Sequence, residues 1–176
     1  MQNDLPWSYE IVADAVPADG QHVELIPDAE TLSRLAKAAS VLAVHHLKAD
    51  LALRRMADDG IEVSGKLSGT VRQTCVVSLE EFDNPISETF TVDFAAKPES
   101  LAATEDEEEI EDMPDPIIDG KIDLGALVTE VLILAVDPYP RKPGVSFEAK
   151  QAEGTEADPE RNPFERLSGL KDKLKK

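Results

Sequence analysis

Alternation of apolar and polar residues marks the middle of the chain as a β-hairpin. Apolar side chains occupy every second position over residues 47–54, and the same period of two resumes over 61–71. Asp58-Asp59-Gly60 lies between the two runs and predicts a turn. Gly65 and Gly69 fall on the apolar face, so we expect another element to approach the backbone closely there.

Shorter strands are predicted on both sides of this hairpin. Aromatic and β-branched residues favour strands over 7–13 and 22–26. Asn84-Pro85 predicts a turn, and a further strand follows with Ile86, Phe90, Val92 and Phe94 on one side.

Two helices carry the remaining apolar periodicity. Asp28 is a good N-cap for a helix whose apolar face holds Leu32, Leu35, Ala36 and Ala39. Asp123 caps a second helix with Leu124, Leu127, Val128, Val131, Leu132 and Ala135 on one face. Ile133 and Leu134 widen that face, so we expect this helix to be well buried. The pattern predicts an α+β domain: an antiparallel sheet of about five to six strands packed against two core helices.

Two further segments differ in composition from this domain. Residues 99–116 carry many acidic residues and no basic one, and an unbroken acidic run over 105–109 indicates a long disordered loop. The sequence of residues 149–176 predicts a flexible linker and a short basic C-terminal helix, with Asn162 as N-cap and Pro163 as first helical residue. We therefore predict one domain over 1–148, followed by this tail.

The charge balance restricts the possible partners. Lys and Arg number 18 against 36 Asp and Glu, which gives a net charge of −18. Such a surface does not favour gripping a phosphate backbone, because nucleic-acid binding rests on basic side chains. The start of the chain lacks the basic and apolar regions of a signal peptide, and no apolar run approaches the roughly 18 residues of a membrane span. We expect a cytoplasmic protein with no membrane contact and no small-molecule substrate.

Residues capable of catalysis or metal binding are few. No P-loop, dinucleotide fingerprint, nucleophile elbow or metalloprotease motif is present. His45 and His46 are adjacent, so in a strand they point to opposite faces and do not share one metal easily. The single cysteine, Cys75, leaves three possibilities: a nucleophile, a metal ligand or a packed apolar residue. Its apolar neighbours favour packing, with a raised thiol pKa and low reactivity. We expect no enzyme, no cofactor and no metal.

Five motifs follow one another along the chain: residues 75–80 after the glycine-punctuated strand, the later strand with Phe90, Val92 and Phe94, the acidic insert, the segment that ends the second helix, and the start of the C-terminal helix. The motif positions are Cys75, Val77, Leu79, Glu80, Asp137, Pro138, Tyr139, Pro140, Gly144, Asn162, Pro163 and Phe164. In combination these motifs resemble the YceD family, also called domain of unknown function 177, and are most similar to its alphaproteobacterial branch. Many relatives have a second cysteine where this chain has Ser78, so a paired-cysteine zinc site cannot be built here.

The resemblance implies a role in the synthesis, processing or stability of large-subunit ribosomal RNA, and no catalytic residue is implied. We expect an adaptor in ribosome biogenesis that meets a ribosomal or assembly protein, with pre-ribosomal RNA as a possible contact of the basic tail. Candidate partner contacts are Arg141, Lys142, Lys171, Lys173 and Lys175. An alternative is an acidic chaperone for a basic ribosomal protein, with 99–116 as its active surface. A third is an enzyme or metal protein that uses Cys75.

Overall fold

The structure is a computed structural model and describes residues 5–57, 60–96 and 114–146. Its strands are β1 (Glu10–Val12), β2 (Gln21–Leu25), β3 (Ala43–Arg55), β4 (Ile61–Thr74), β5 (Glu81–Ala96), β6 (Asp115–Ile117) and β7 (Lys121–Asp123). Its helices are α1 (Ala29–Ala38) and α2 (Leu124–Ala135), and a short 3₁₀ helix spans Ala13–Ala15. These elements belong to the first of two units into which the chain divides, Met1–Val145.

The sheet has five strands in the order β2-β3-β4-β5-β6. The predicted strand number and the two helices are thus confirmed for the described residues. The expectation of a purely antiparallel sheet is wrong at one edge, where Phe94–Ala96 of β5 pairs in parallel with β6. A parallel neighbour requires a long connection, and the intervening chain from 97 to 114 is long enough to supply it. β1 and β7 form a separate two-stranded antiparallel sheet.

The hairpin of β3 and β4 forms the centre of the core. Leu51, Leu53, Val63, Leu67 and Val71 are all buried on one face, as the alternation predicts. A Cβ atom placed on Gly65 would lie 2.6 Å from Leu51 Cδ2 and 2.7 Å from Phe90 Cζ, so the expected close approach at this glycine is confirmed.

Both predicted helix caps are present. The Asp28 carboxylate accepts a hydrogen bond from Thr31 N at 2.8 Å. The Asp123 carboxylate accepts from Gly125 N at 2.9 Å and Ala126 N at 3.1 Å. It also accepts from Tyr9 N at 2.8 Å and the Ser8 hydroxyl at 2.6 Å, so this cap holds the N-terminal segment against α2.

The predicted turn at Asn84-Pro85 is wrong, because both residues lie inside β5 opposite Val71 and Thr70. The chain reverses earlier, at residues 75–80. Proline is tolerated within a strand where one edge forms no ladder. On the side away from β4, β5 is paired with a described strand only at Phe94–Ala96, so Pro85 lies in such a stretch.

Two other expectations need correction. Ile133 and Leu134 do not widen the buried face of α2, since they are 43% and 84% exposed. Each residue turns about 100° around a helix, so the two positions after buried Leu132 face away from the sheet. The end of the predicted acidic loop is also not a loop, because Asp115 and Pro116 pair with Phe94 and Ala95.

Three predicted features lie outside the described residues: the turn residues 58–59, the acidic positions 99–113 and the C-terminal helix within 147–176.

Candidate functional site

Two motif segments that are about 60 residues apart in sequence meet at one end of the sheet. The first is the turn of residues 75–80, which joins β4 to β5. Its backbone is closed by hydrogen bonds from Cys75 N to Glu80 O and from Leu79 N to Cys75 O, each 2.9 Å. The second is residues 137–142, which follow α2. We call the two segments together the motif corner.

Hydrogen bonds and one ion pair join the two halves of the motif corner. Val76 N donates to Pro140 O at 2.9 Å. Lys142 Nζ lies 2.9 Å from a Glu80 carboxylate oxygen, and this lysine lowers the pKa of Glu80. Beneath them, the buried Gln73 side chain donates to Asp137 O at 2.9 Å. The structure thus brings the predicted motif positions 75–80 and 137–140 into one site.

The segment after α2 has a defined path. The Asp137 carboxylate accepts from Tyr139 N at 2.8 Å, which fixes the first turn after the helix. Val145 N donates to Lys142 O at 3.2 Å, closing a second turn at Pro143-Gly144. Gly144 has a φ of +82°, which explains why a glycine is suited to this motif position.

Cys75 is buried at the base of the motif corner, as expected of a packed residue. The expected rise in its pKa is wrong. A hydrogen bond from the Ser78 side chain, together with the backbone N–H groups of Ser78 and Lys142, lowers the pKa of the thiol from 9.0 to about 6. Burial acts in the opposite direction but is a smaller effect. The sulfur is therefore an internal hydrogen-bond acceptor on which both halves of the corner converge.

The described residues around Cys75 place no second soft metal ligand at its sulfur. Ser78 N lies 3.4 Å from Cys75 Sγ, and its side chain also supports the sulfur as a donor. Among residues 5–57, 60–96 and 114–146, no group of three or more His, Cys, Asp or Glu side chains is placed to hold a metal ion. His45 is exposed and lies 3.0 Å from the Asp83 carboxylate instead.

The motif corner exposes three large apolar side chains. Val76 is 46% exposed, Leu79 is 76% exposed and Tyr139 is 74% exposed. Leu79 has a φ of +60°, a conformation that costs energy for a leucine and that the turn must impose. A large apolar side chain is therefore held in solvent by a fixed backbone.

A shallow groove of about 460 Å³ runs beside these residues. Val76, Leu42, Ile133 and Pro138 lie along it. Sequence reasoning missed Leu42 and Ile133 as surface residues, because each continues an apolar pattern typical of a core. Leu42 follows α1 and Ile133 lies near the end of α2. Only the fold shows that these two residues share a surface with the turn of residues 75–80.

Half of the ten basic side chains that the structure describes form ion pairs with described carboxylates. Lys48 Nζ lies 2.8 Å from Glu24, Arg54 lies 2.8 Å from Glu62, and Arg72 lies 2.9 Å from Asp83. Of the predicted contact residues, Lys142 is paired with Glu80, whereas Arg141 is exposed and has no ion pair with a described residue. The remaining predicted positions lie outside the described residues: Asn162, Pro163, Phe164, Lys171, Lys173 and Lys175.

Within the described parts of the chain, no helix is long and apolar enough to cross a membrane. No curated protein and no solved structure matches the chain at a significant level. A family model does match residues 63–172, which include β4 from Val63 onward, the turn of 75–80, β5, α2 and the whole second segment of the motif corner. The model describes the large ribosomal RNA subunit accumulation protein YceD, and since the match spans more than half of the 176 residues, the chain belongs to the YceD family.

Proposed function

We propose that this chain is a non-enzymatic adaptor in the accumulation of large-subunit ribosomal RNA and that it binds a protein partner through the motif corner. The family name supports the ribosomal role. The observation that carries the adaptor proposal is the set of exposed apolar side chains on a corner whose backbone is fixed by Gln73, Cys75 and Lys142.

Rigid apolar side chains favour a protein partner over RNA. Aromatic and apolar residues at a protein interface gain affinity from desolvation, and a fixed backbone keeps the entropic cost of binding low. Val76, Leu79 and Tyr139 offer these properties. RNA binding requires unpaired cations instead, and Lys48, Arg54 and Arg72 are already neutralised by neighbouring carboxylates. If RNA is contacted, we propose that the basic tail with Lys171, Lys173 and Lys175 makes the contact.

Leu79→Asn tests this proposal without disturbing the fold. Asparagine adopts positive φ more readily than leucine, so the variant should be at least as stable as the wild type while losing the apolar side chain. Ile118→Asn is the matched control. Ile118 is 66% exposed and lies beyond β6, which pairs with the Phe94 end of β5, so it is at the opposite end of the sheet from residue 79.

The measurement is recovery of bound protein and RNA from the native host with a tagged full-length chain, with and without nuclease. We expect nuclease-resistant capture of a ribosomal or assembly protein by the wild type and by Ile118→Asn, and its loss in Leu79→Asn. Equal capture by Leu79→Asn and the wild type would refute the motif corner as the binding site. Capture that disappears on nuclease treatment would refute a protein adaptor.

The second candidate function is an acidic chaperone for a basic ribosomal protein. The net charge of −18 favours a basic partner, and five of the ten described basic side chains are already held in ion pairs. Replacing the acidic residues within 99–113 by their amides removes most of the charge of the acidic segment and keeps the connection between β5 and β6 at Asp115–Ile117. Binding of a basic ribosomal protein should weaken steeply with salt in the wild type, and these replacements should abolish most of that binding. Salt-independent binding would exclude this candidate.

A further inference from the structure

Most of the outer edge of β5 is not paired with any strand that the structure describes. β5 is 16 residues long, and β4 pairs with it from Thr74 opposite Glu81 to Ile61 opposite Phe94. On the other side β6 pairs only with Phe94, Ala95 and Ala96. The edge over residues 81–93 therefore pairs with no strand in the described part of the chain.

This edge is already able to accept a strand. β6 forms a parallel ladder along its last three residues, so the geometry of the edge suits further backbone hydrogen bonding. Pro85 lacks an N–H and interrupts the edge, but residues 86–93 are continuous. At about 3.3 Å per residue they extend over roughly 26 Å, which matches an ordinary strand.

The negative charge of β5 favours an incoming strand that carries basic side chains. The strand contains Glu81, Asp83, Glu88 and Asp93 and no basic residue. Asp83 is neutralised by Arg72, but Asp93 Oδ1 is buried without a hydrogen-bond partner among the described residues. A buried carboxylate oxygen without a donor is costly, and a cation brought by an incoming strand would remove that cost. A second copy of this chain would instead bring like charges together along the edge.

We propose that residues 86–93 of β5 bind an extended, lysine- or arginine-bearing segment of a partner protein by strand addition, with Asp93 receiving one of its cations. This inference rests on the second candidate function and deepens it: the acidic segment 99–113 attracts the basic partner by charge, and the β5 edge gives that partner a second contact and a conformation.

The test uses the full-length chain and fluorescence anisotropy with labelled peptides of about eight residues, the length of the open edge. The probe is a peptide of alternating lysine and valine. Two versions of it carry N-methyl groups, one on every lysine amide and one on every valine amide. An oligolysine of the same net charge is the fourth peptide. Strand pairing uses only one edge of the peptide, so at least one N-methylated version should bind at least tenfold more weakly than the parent.

Protein variants test the role of charge. Asp93→Asn should weaken binding of the parent peptide about threefold or more, whereas the control Glu30→Gln, an exposed acidic residue on α1, should leave it unchanged. Circular dichroism establishes that both variants fold.

The outcomes separate this inference from the function on which it rests. If both N-methylated peptides and oligolysine bind as well as the parent, the chain recognises basic segments by charge alone, and strand addition is wrong while the chaperone function stands. If no basic peptide binds, both are wrong. Unchanged binding in Asp93→Asn would refute the assigned cation contact and with it the proposal.

Discussion

Gln73→Ala should destabilise the protein by loosening the motif corner from beneath. The Gln73 side chain is buried, its Nε2 donates to Asp137 O at 2.9 Å, and its Oε1 accepts from Asn84 Nδ2 at 3.1 Å. Each neutral hydrogen bond contributes about 1 kcal/mol, and the lost side-chain packing adds about 1 kcal/mol. The alanine variant regains about 1 kcal/mol because it has no side-chain entropy to lose on folding. We expect the free energy of unfolding to fall by about 2 kcal/mol.

Urea denaturation followed by circular dichroism measures this change. With a slope of about 2 kcal/mol per molar urea, the midpoint should move down by about 1 M. Thr74→Ser is the control, because residue 74 is the exposed neighbour on the same strand, and we expect it to change stability by less than about 0.5 kcal/mol. A loss in Gln73→Ala no larger than that of the control would show that the contact with Asp137 does not hold the corner together.

Three other changes test the structure at separate points. Gly125→Ala should destabilise by at least about 1 kcal/mol in urea denaturation, although alanine favours helices, because its Cβ would lie 2.7 Å from Tyr9 N; a stabilised variant would refute that packing. Asp123→Ala should cost about 2 kcal/mol through loss of the cap and of the bonds to residues 8 and 9, and faster hydrogen exchange at Tyr9 N should accompany it; unchanged exchange would contradict the shared role. The Cys75 thiol has a folded-state pKa of about 6, below its ordinary 9.0, so the stability of the wild type relative to Cys75→Ala should rise between pH 6 and pH 9 and be lost as the pH falls through 6. Thiolate absorbance against pH should show a midpoint near 6, and a midpoint near 9.0 would contradict the hydrogen bonding at the sulfur.

Local periodicity was sufficient to predict the hairpin and both helices. The β3–β4 pair and the two aspartate caps depend on residues close in sequence, and their patterns are unambiguous. The turn predicted at Asn84-Pro85 is wrong for a physical reason. A proline breaks a ladder only where the backbone N–H that it lacks is needed, and the sequence does not show that this part of β5 pairs with no described strand on its outer side. The strands β6 and β7 have three residues each, too few for any period to appear.

The candidate site was only half predictable. The motif positions at 75–80 and 137–140 were identified, but their contact was not, because it runs through backbone groups such as Val76 N and Pro140 O that every sequence possesses. The lowered pKa of Cys75 has the same origin, since its donors include the N–H of Lys142, a residue distant in the chain. The apolar residues next to Cys75 in the sequence do not indicate where these hydrogen-bond donors lie.

Binding at the two proposed surfaces should differ in its dependence on salt, and this difference allows them to be told apart in one titration. The motif corner presents Val76, Leu79 and Tyr139, and its one ion pair, between Lys142 and Glu80, is internal. Apolar burial is not screened by ions, so a complex formed there should persist as ionic strength rises. The β5 edge depends partly on carboxylates such as Asp93, and its complexes should weaken. A partner that is retained at high salt is therefore expected at the motif corner rather than at the β5 edge.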